Sequence, residues 1–175
     1  MELECPRLIE SRDLRLTSRF DCDTPVLNEW LHLHAWANHN SGSARVYISL
    51  DAEAGLIAGF YCLSAGAVEH AQAPGRISKG LARHPIPIVL IGRLAVDQRY
   101  VERGLGRFLI RDAFKHILET AQIIGTRAVM VQAKTLEGAE FYKKLGFQAS
   151  ESHPMLFFHL LKDVKKSLES ATRAG

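Results

Sequence analysis

The sequence predicts an α+β fold in which helices lie on the faces of a mixed sheet. Two observations lead to this class. The first half of the chain carries one helical pattern and then two alternating apolar runs, and the second half alternates strand, helix, strand, helix and strand. This order is typical of a three-layer α/β/α arrangement. At 175 residues, we expect a single domain over residues 1–175.

The first half predicts a helix followed by a hairpin. Thr24 and Pro25 provide an N-cap and a first-turn proline, and apolar residues recur at helical spacing until the break at residues 38–42. Residues 46–50 then alternate in the pattern of a strand, and the apolar run at residues 56–68 follows after a turn. These two runs predict paired antiparallel strands.

The second half predicts the centre of the sheet. Residues 86–96 are almost continuously apolar and β-branched, as is typical of a strand buried on both faces. We expect a long helix from about Gly104 to Gly125, with Gly125 as its C′ residue. A strand, a short helix stopped by a glycine and a final strand follow at residues 127–132, 136–145 and 155–160.

Composition limits the possible classes of protein. The net charge of +3 is mildly basic, which suits an anionic partner without requiring one. The three cysteines are far apart and have no metal-ligand spacing, so we predict neither a disulfide framework nor a metal site. No signal peptide is evident and no apolar run approaches the ~18 residues of a membrane helix. We expect a soluble cytoplasmic protein with no membrane partner.

A glycine-rich turn lies between the predicted central strand and the long helix. Its residues are Arg103, Gly104, Leu105, Gly106 and Arg107. At such a junction, free backbone N–H groups and the positive end of the helix dipole bind phosphate groups. The two glycines let a diphosphate approach the backbone, and the two arginines add positive charge.

Other phosphate-binding motifs fit this turn less well. A nucleotide P-loop requires Gly-Lys-Ser or Gly-Lys-Thr, which is lacking, and a Rossmann fingerprint requires a third glycine near Leu109. On these residues alone, a tight turn that binds nothing stays an alternative.

Two segments carry a family resemblance. Residues 91–97, followed by residues 103–106, resemble the signature strand and pyrophosphate loop of the GNAT acetyltransferases. Residues 139–147, Ala-Glu-Phe-Tyr-Lys-Lys-Leu-Gly-Phe, resemble the last helix of that superfamily. The resemblance covers roughly residues 20–160 and is closest to the GNAT toxins of type II toxin–antitoxin modules, which acetylate aminoacyl-tRNA. Val101 departs from the pattern, because the superfamily loop usually opens with Gln or Arg.

The resemblance implies a GNAT fold, in which a mostly antiparallel sheet is splayed at the site of acetyl-CoA, the acyl donor. Backbone groups of the central strand are expected to pair with the pantetheine arm, at Leu94, Ala95 and Val96. The diphosphate is expected on residues 103–107, with Lys134 and Lys144 helping to hold the cofactor. Tyr142 is expected to protonate the leaving thiolate. A tyrosine that only packs the last helix is the alternative.

The chemistry of the acceptor amine indicates the substrate. A lysine amine of pKa about 10.4 needs a general base, whereas an α-amine of pKa about 8 is partly neutral already. Residues 88–96 contain no Glu, Asp or His, which favours an α-amine such as that of aminoacyl-tRNA. Glu69 and His70 follow the preceding strand. They either act as a base through water or form a solvated strand end.

A tRNA acceptor end is strongly anionic, so basic residues are expected beside it. The candidates for substrate binding are Arg76, Lys79, Arg83 and Arg93, and the first three lie in a predicted surface loop at residues 72–87. Further cations along the chain are Arg99, Arg103, Arg107 and Arg111. A solvated helix face explains the last three equally well.

Three functions remain open at this stage. The first is a toxin that acetylates charged tRNA, the second an acetyltransferase of a small amine or a protein N-terminus, and the third a non-catalytic module that binds coenzyme A. The resemblance also implies a homodimer and a cognate antitoxin that is a small DNA-binding protein. An apolar cluster near the C-terminus is either core or interface: Phe157, Phe158, Leu160 and Leu161.

Overall fold

The computed structural model describes residues 2–173, which contain seven strands. The strands are β1 (Arg7–Leu8), β2 (Arg45–Asp51), β3 (Leu56–Val68), β4 (Ile86–Val96), β5 (Ala128–Gln132), β6 (Gln148–Ala149) and β7 (Leu156–Leu160). They form one sheet in the order β1-β2-β3-β4-β5-β7-β6. β4 and β5 pair in parallel, whereas β1–β2, β2–β3, β5–β7 and β6–β7 pair antiparallel. The predicted α+β class with a mixed, mostly antiparallel sheet is confirmed.

Helices flank the sheet. They are α1 (Leu14–Thr17), α2 (Pro25–Glu29), α3 (Ala35–Ser41), α4 (Gly75–Ser78), α5 (Leu105–Ala121), α6 (Leu136–Lys144) and α7 (Leu161–Arg173). A π-helical turn, Trp30–His34, joins α2 to α3, so the first predicted helix is confirmed as one helical segment. Within residues 2–173, no helix has the length and apolar character that a membrane span requires.

The described residues form two compact units, and the prediction of a single domain stays a prediction. Unit 1 comprises Met1–Ser64 and Gly92–Ala113. Its core packs the first helical segment against β2 and β3. Trp30 stacks on Phe60 with ring centroids 6.0 Å apart, and Phe20 meets the same ring edge-on at 5.4 Å. The predicted hairpin is confirmed by the antiparallel register of β2 and β3, which shifts once at a bulge between Ser49 and Leu50.

Unit 2 comprises Ala65–Ile91 and Phe114–Gly175. Its core gathers apolar residues from β3, β4, β5, β7 and α4: Val68, Ile77, Ile86, Ile88, Ala128, Phe158 and Leu160. The parallel ladder between β4 and β5 runs from Ile88↔Ala128 to Ile91↔Val131. Phe157 and Phe158 are fully buried, so these two rings belong to the core.

The structure corrects the predicted end of the long helix. α5 ends at Ala121, four residues before Gly125. The N–H groups of Gln122 and Ile123 bond to carbonyl groups three residues back, at 3.2 and 2.9 Å, so the last turn is tighter than an α-helix. Ile123 is 84% exposed, so burial of its side chain does not favour continuing the helix. Gly125 is therefore not its C′ residue.

Candidate active site

The turn after β4 is built around the buried carboxylate of Asp97. This side chain accepts hydrogen bonds from the Asp21 N–H at 2.9 Å and from Arg99 Nε and Nη2 at 2.7 and 2.6 Å. Burial opposes ionisation, but these hydrogen bonds outweigh it and lower the pKa of Asp97. Arg99 also donates to the Arg19 carbonyl group at 2.8 Å. The start of the loop is thereby fixed by the chain itself.

The loop enters α5 through two left-handed backbone positions. Glu102 has φ 62° and Gly104 has φ 78°. Glycine adopts this conformation readily, whereas for a glutamate the strain costs about 1 to 3 kcal/mol. Such strain persists only where the surroundings fix the backbone.

The N-terminus of α5 presents free backbone donors. The first helical hydrogen bond runs from the Phe108 N–H to the Gly104 carbonyl group, at 3.1 Å. Three N–H groups precede it in the helix, those of Leu105, Gly106 and Arg107. They lie at the positive end of the helix dipole, where a phosphate is stabilised. The predicted glycine-rich turn thus has the geometry of an anion-binding loop.

α5 approaches β3 closely at Gly59. A Cβ atom at this position would lie 2.8 Å from Leu109 Cδ1 and 3.1 Å from the Ala95 carbonyl oxygen. Both distances are shorter than ordinary contacts, so any larger residue requires the Leu109 side chain and the Ala95 carbonyl group to move. Gly59 therefore helps to set the position of the first turns of α5 and of their N–H groups.

A buried hydrogen bond fixes the same two elements further along. The Tyr61 hydroxyl group on β3 donates to Asp112 Oδ2 on α5 at 2.6 Å. Burial, and then the neighbouring carboxylate, raises the pKa of Tyr61. The Tyr61 ring stacks on Tyr47 with centroids 4.8 Å apart. α5 is thus held on β3 at two points, one through van der Waals contact and one through a hydrogen bond.

The arginines of the turn are exposed to solvent. The Arg103 guanidinium group lies 5.9 Å from the centre of the Tyr100 ring, and the Tyr100 hydroxyl group donates to Asp51 Oδ2 at 2.8 Å. Arg107 lies on the first turn of α5. Val101, the residue that departs from the superfamily pattern, is 51% exposed. The fold of the loop therefore rests on the groups around Asp97 and not on the side chain of Val101.

β4 continues beyond its ladder with β5. The ladder ends at Ile91, whereas the strand runs to Val96. The residues predicted to pair with the pantetheine arm lie in this extension: Leu94, Ala95 and Val96. The arm would find backbone donors and acceptors there, as a peptide does at a strand edge.

Tyr142 lies in α6, whose first turn is capped by the Thr135 hydroxyl group accepting from the Gly138 N–H at 3.0 Å. Its ring is 6% exposed and lies 5.4 Å from that of Phe147 and 6.2 Å from that of Phe157. Among the described residues, its hydroxyl group has no hydrogen-bond partner. Burial raises the pKa of Tyr142, so the phenol is a weaker acid than an exposed tyrosine side chain.

The two lysines predicted to hold the cofactor are both exposed. Lys134 Nζ lies 3.5 Å from Gln132 Oε1, just past the end of β5. Lys144 is the last residue of α6. Their part in cofactor binding stays a prediction.

Two of the four predicted substrate-binding cations have protein partners. Arg76 Nη1 forms an ion pair with Asp163 Oδ2 at 2.6 Å. The Arg93 guanidinium group lies over the Trp30 ring, 4.6 Å from its centre, with its Nε buried and unpaired within the described chain. Lys79 and Arg83 are exposed.

The two candidates for a general base, Glu69 and His70, have different surroundings. Glu69 is exposed just after the end of β3, whereas His70 is half-buried and its Nε2 atom is buried without a partner in the described part of the chain. Their role as a base stays a prediction. Across residues 2–173, no group of three His, Cys, Asp or Glu side chains has an arrangement that suits a metal ion.

Sequence reasoning missed three contributors to the site. Asp97 belongs to the signature strand, but its role as an anchor depends on Asp21, which is 76 residues away. Asp112 and its partner Tyr61 are likewise far apart, at a separation of 51 positions along the chain. For Gly59 a signal existed, because a glycine inside an apolar strand often marks a close approach of another backbone or helix.

Comparison with known proteins identifies the family. Residues 42–149 match the model of the acetyltransferase (GNAT) domain. The chain belongs to the GNAT acetyltransferase family. β4, the anion-binding loop and α6 are thus elements of a GNAT fold, as the resemblance implied.

Two relatives of this GNAT chain are named as toxins. The "tRNA-acetylating toxin" of Mycobacterium tuberculosis (strain ATCC 25618 / H37Rv) is 38% identical over 160 residues, which are 91% of this chain and 93% of that protein. The "probable toxin TacT" of Sinorhizobium fredii (strain NBRC 101917 / NGR234) is 27% identical over 162 residues, covering 87% and 90%.

Two solved structures share the fold of this chain. The structure of AtaT complexed with acetyl-methionyl-tRNAfMet is 26% identical, with a TM-score of 0.82, covering 94% of this chain and 98% of that one. The structure of AtaTR bound with AcCoA is 27% identical, with a TM-score of 0.80, covering 94% and 97%.

Proposed function

We propose that this GNAT enzyme moves the acetyl group of acetyl-CoA to the α-amino group of aminoacyl-tRNA, and so blocks translation as the toxin of a toxin–antitoxin module. The observation that carries the proposal is 38% identity to a tRNA-acetylating toxin over 91% of the chain. The similarity to AtaT in complex with an acetylated aminoacyl-tRNA supports the same substrate.

Acetyl-CoA is the donor in this proposal, and the anion-binding loop suits its diphosphate. The N–H groups at the start of α5 would donate to the phosphate oxygens, and Arg103 and Arg107 would add positive charge. Leu94, Ala95 and Val96 would bind the amides of the pantetheine arm. Lys134 and Lys144 are the proposed further contacts.

The reaction needs a neutral amine and a proton for the sulfur. The amine nitrogen attacks the thioester carbon, a tetrahedral oxyanion forms, and the C–S bond then breaks. The Tyr142 hydroxyl group supplies a proton to the leaving sulfur, the attacking nitrogen loses one to solvent, and the phenolate then regains its proton from solvent. Burial raises the pKa of Tyr142, so its hydroxyl group is protonated when the thioester binds.

The partners follow from the same proposal. The enzyme would act in the cytoplasm, where charged tRNA is found, and a cognate antitoxin would neutralise it. We propose that this antitoxin is a small DNA-binding protein and that the enzyme is a homodimer.

Induced expression in a bacterial host tests the function. We expect growth arrest together with N-acetylated aminoacyl-tRNA, detected by mass spectrometry of the nuclease-released aminoacyl-adenosine. The Tyr142→Phe variant should relieve the arrest while keeping its affinity for acetyl-CoA. Unimpaired growth without acetylated tRNA would reject the proposal. Acetylation of polyamines or protein N-termini instead would favour the second function left open by the sequence.

A further inference from the structure

We infer that the Glu102 carboxylate keeps the affinity of the anion-binding loop for coenzyme A low and so speeds release of the product, an inference that rests on the proposed function. Glu102 is exposed in the turn between β4 and α5 and directly precedes Arg103, the first residue of the loop. The sequence motifs assign it no role. Its backbone conformation, its position and its surroundings all point to one in ligand binding.

The backbone of Glu102 has a conformation that suits glycine. Its φ is 62°, in the left-handed region, where the Cβ atom of a glutamate crowds the following carbonyl group. Within residues 2–173, the other non-glycine residue in this region is Asp23. Aspartate tolerates the left-handed region better than glutamate, because its short side chain bonds to nearby backbone groups. A glycine at position 102 would therefore relieve strain.

The position of Glu102 brings a negative charge close to the phosphate site. Its Cα atom lies three residues before that of Leu105, whose N–H group is the first of the helical donors of α5. At about 3.8 Å for each residue, the two Cα atoms are at most about 11 Å apart. This separation is near the Debye length of about 10 Å at 0.1 M salt, so the carboxylate repels a diphosphate held at these N–H groups.

Glu102 makes no contact that would offset the strain and the repulsion. In the described part of the chain, its carboxylate has neither a hydrogen bond nor an ion pair, although two arginines lie within three residues of it. Arg99 is bound to Asp97 instead, and the Arg103 guanidinium group lies over the Tyr100 ring. A residue that is strained without a structural reason is typical of a functional position.

Weaker binding by the loop suits the catalytic cycle. CoA carries the same diphosphate as acetyl-CoA, so each contact with the loop stabilises donor and product equally. Uniform binding of this kind lowers KM without raising kcat, and it slows product release, which limits the turnover of many enzymes. A repelling carboxylate therefore shortens the time for which CoA occupies the site.

Calorimetry and stopped-flow binding on the full-length enzyme test the inference. Glu102→Gln removes the charge and keeps the size of the side chain. We expect the Kd of CoA to fall about fivefold at low salt, as for a unit charge near a divalent anion in water, mainly through slower dissociation. The effect should shrink at about 0.5 M salt, which screens the repulsion. Acetyl-pantetheine lacks the diphosphate, so its KM as an acetyl donor should not change.

Glu102→Gly separates the charge from the strain. It should tighten CoA binding as much as Glu102→Gln does and also raise the Tm of the unliganded protein by about 2 to 4 °C. This rise is expected because the relief of strain exceeds the extra freedom that glycine gives the unfolded chain. Glu102→Gln keeps the strained backbone, so its Tm should stay within about 1 °C of the parent.

The matched control is Glu169→Gln, which removes an exposed carboxylate of α7 and should leave the Kd of CoA unchanged. An unchanged or higher Kd for CoA in Glu102→Gln would overturn the inference, because the carboxylate would then not repel the cofactor. Equal tightening in the control, or an equal effect with acetyl-pantetheine, would overturn it as well. If the parent enzyme binds neither CoA nor acetyl-CoA, the proposed function fails instead.

Discussion

The Tyr142 ring is buried in an aromatic cluster, and its hydroxyl group has no hydrogen-bond partner among the described residues. Changing Tyr142→Phe should lower kcat by about 10² to 10⁴, the range of a missing general acid. The phenylalanine fits the same aromatic cluster, so thermal stability and the Kd for acetyl-CoA, measured by calorimetry, should stay unchanged. If the variant kept the kcat of the parent enzyme, Tyr142 would have no part in the reaction.

The raised pKa of Tyr142 also fixes the shape of the pH profile. With the amide-linked adenosine mimic, kcat/KM should rise with pH until the α-amine is neutral, near pH 8. It should then stay level to about pH 10, because burial keeps the phenol protonated beyond the ordinary tyrosine pKa of about 10. A fall in rate with an apparent pKa near 10, absent in Tyr142→Phe, would show that the burial has no such effect.

The buried Asp97 carboxylate, which holds the start of the loop, also stabilises the folded protein. Its pKa in the folded protein is lowered, so its contribution is present above the unfolded value of about 3.9 and is lost as pH falls through the folded value. Asp97→Asn should lower the free energy of unfolding by about 2 kcal/mol at pH 7, because charge-assisted hydrogen bonds weaken. Urea unfolding at pH 7 and pH 3 measures this difference, which should shrink at pH 3. A difference equal at both pH values would contradict the assignment.

At the scale of elements, the packing of α5 on β3 controls the anion-binding loop. Gly59→Ala should destabilise the protein by about 1 to 3 kcal/mol, since its Cβ would overlap Leu109 and the Ala95 carbonyl group. It should also weaken acetyl-CoA binding, because Leu105 and Leu109 in the first turns of α5 must repack around the new methyl group. Gly125→Ala is the control, as a Cβ there meets no atom within 4 Å. Denaturant unfolding and calorimetry on both variants decide whether the effect belongs to position 59.

Hydrophobic periodicity predicted the larger elements and failed at their ends. The eleven-residue run of β4 could be recognised because a strand buried on both faces is apolar throughout. β1 and β6 have two residues each, which is too short for any pattern. The end of α5 depends on which residues find apolar contacts, and that is decided by distant parts of the chain.

The site was predictable where it depends on local sequence. The glycines of the loop and the Phe141–Tyr142 pair belong to short motifs that can be recognised in the sequence. The groups that hold the loop could not be predicted, because the hydrogen bond from the Asp21 N–H to Asp97 joins positions that only folding brings together. Likewise, the ion pair of Arg76 with Asp163 joins distant positions, and the part of Arg76 in substrate binding stays a prediction.

For the whole molecule, binding of the donor should raise stability by mass action. Coenzyme A at about 100 times its Kd should add about 2.7 kcal/mol, which raises the Tm by roughly 5 to 10 °C for a chain of this size. Arg103→Gln combined with Arg107→Gln should reduce this rise at equal ligand concentration, whereas Arg12→Gln combined with Arg15→Gln should not. Differential scanning calorimetry measures both. Equal rises in the two variants would exclude the loop arginines from binding.

The composition of β4 also bears on whether the enzyme can acetylate lysines of its own surface. Residues 88–96 offer no carboxylate or imidazole that would take a proton from a lysine. At neutral pH, an ε-ammonium group of pKa about 10.4 keeps its proton and is a poor nucleophile. A lysine that reached residues 88–96 would therefore find no group there to activate it as an acceptor. An enzyme of this composition would spare lysines on its own surface while it acetylates amines of lower pKa.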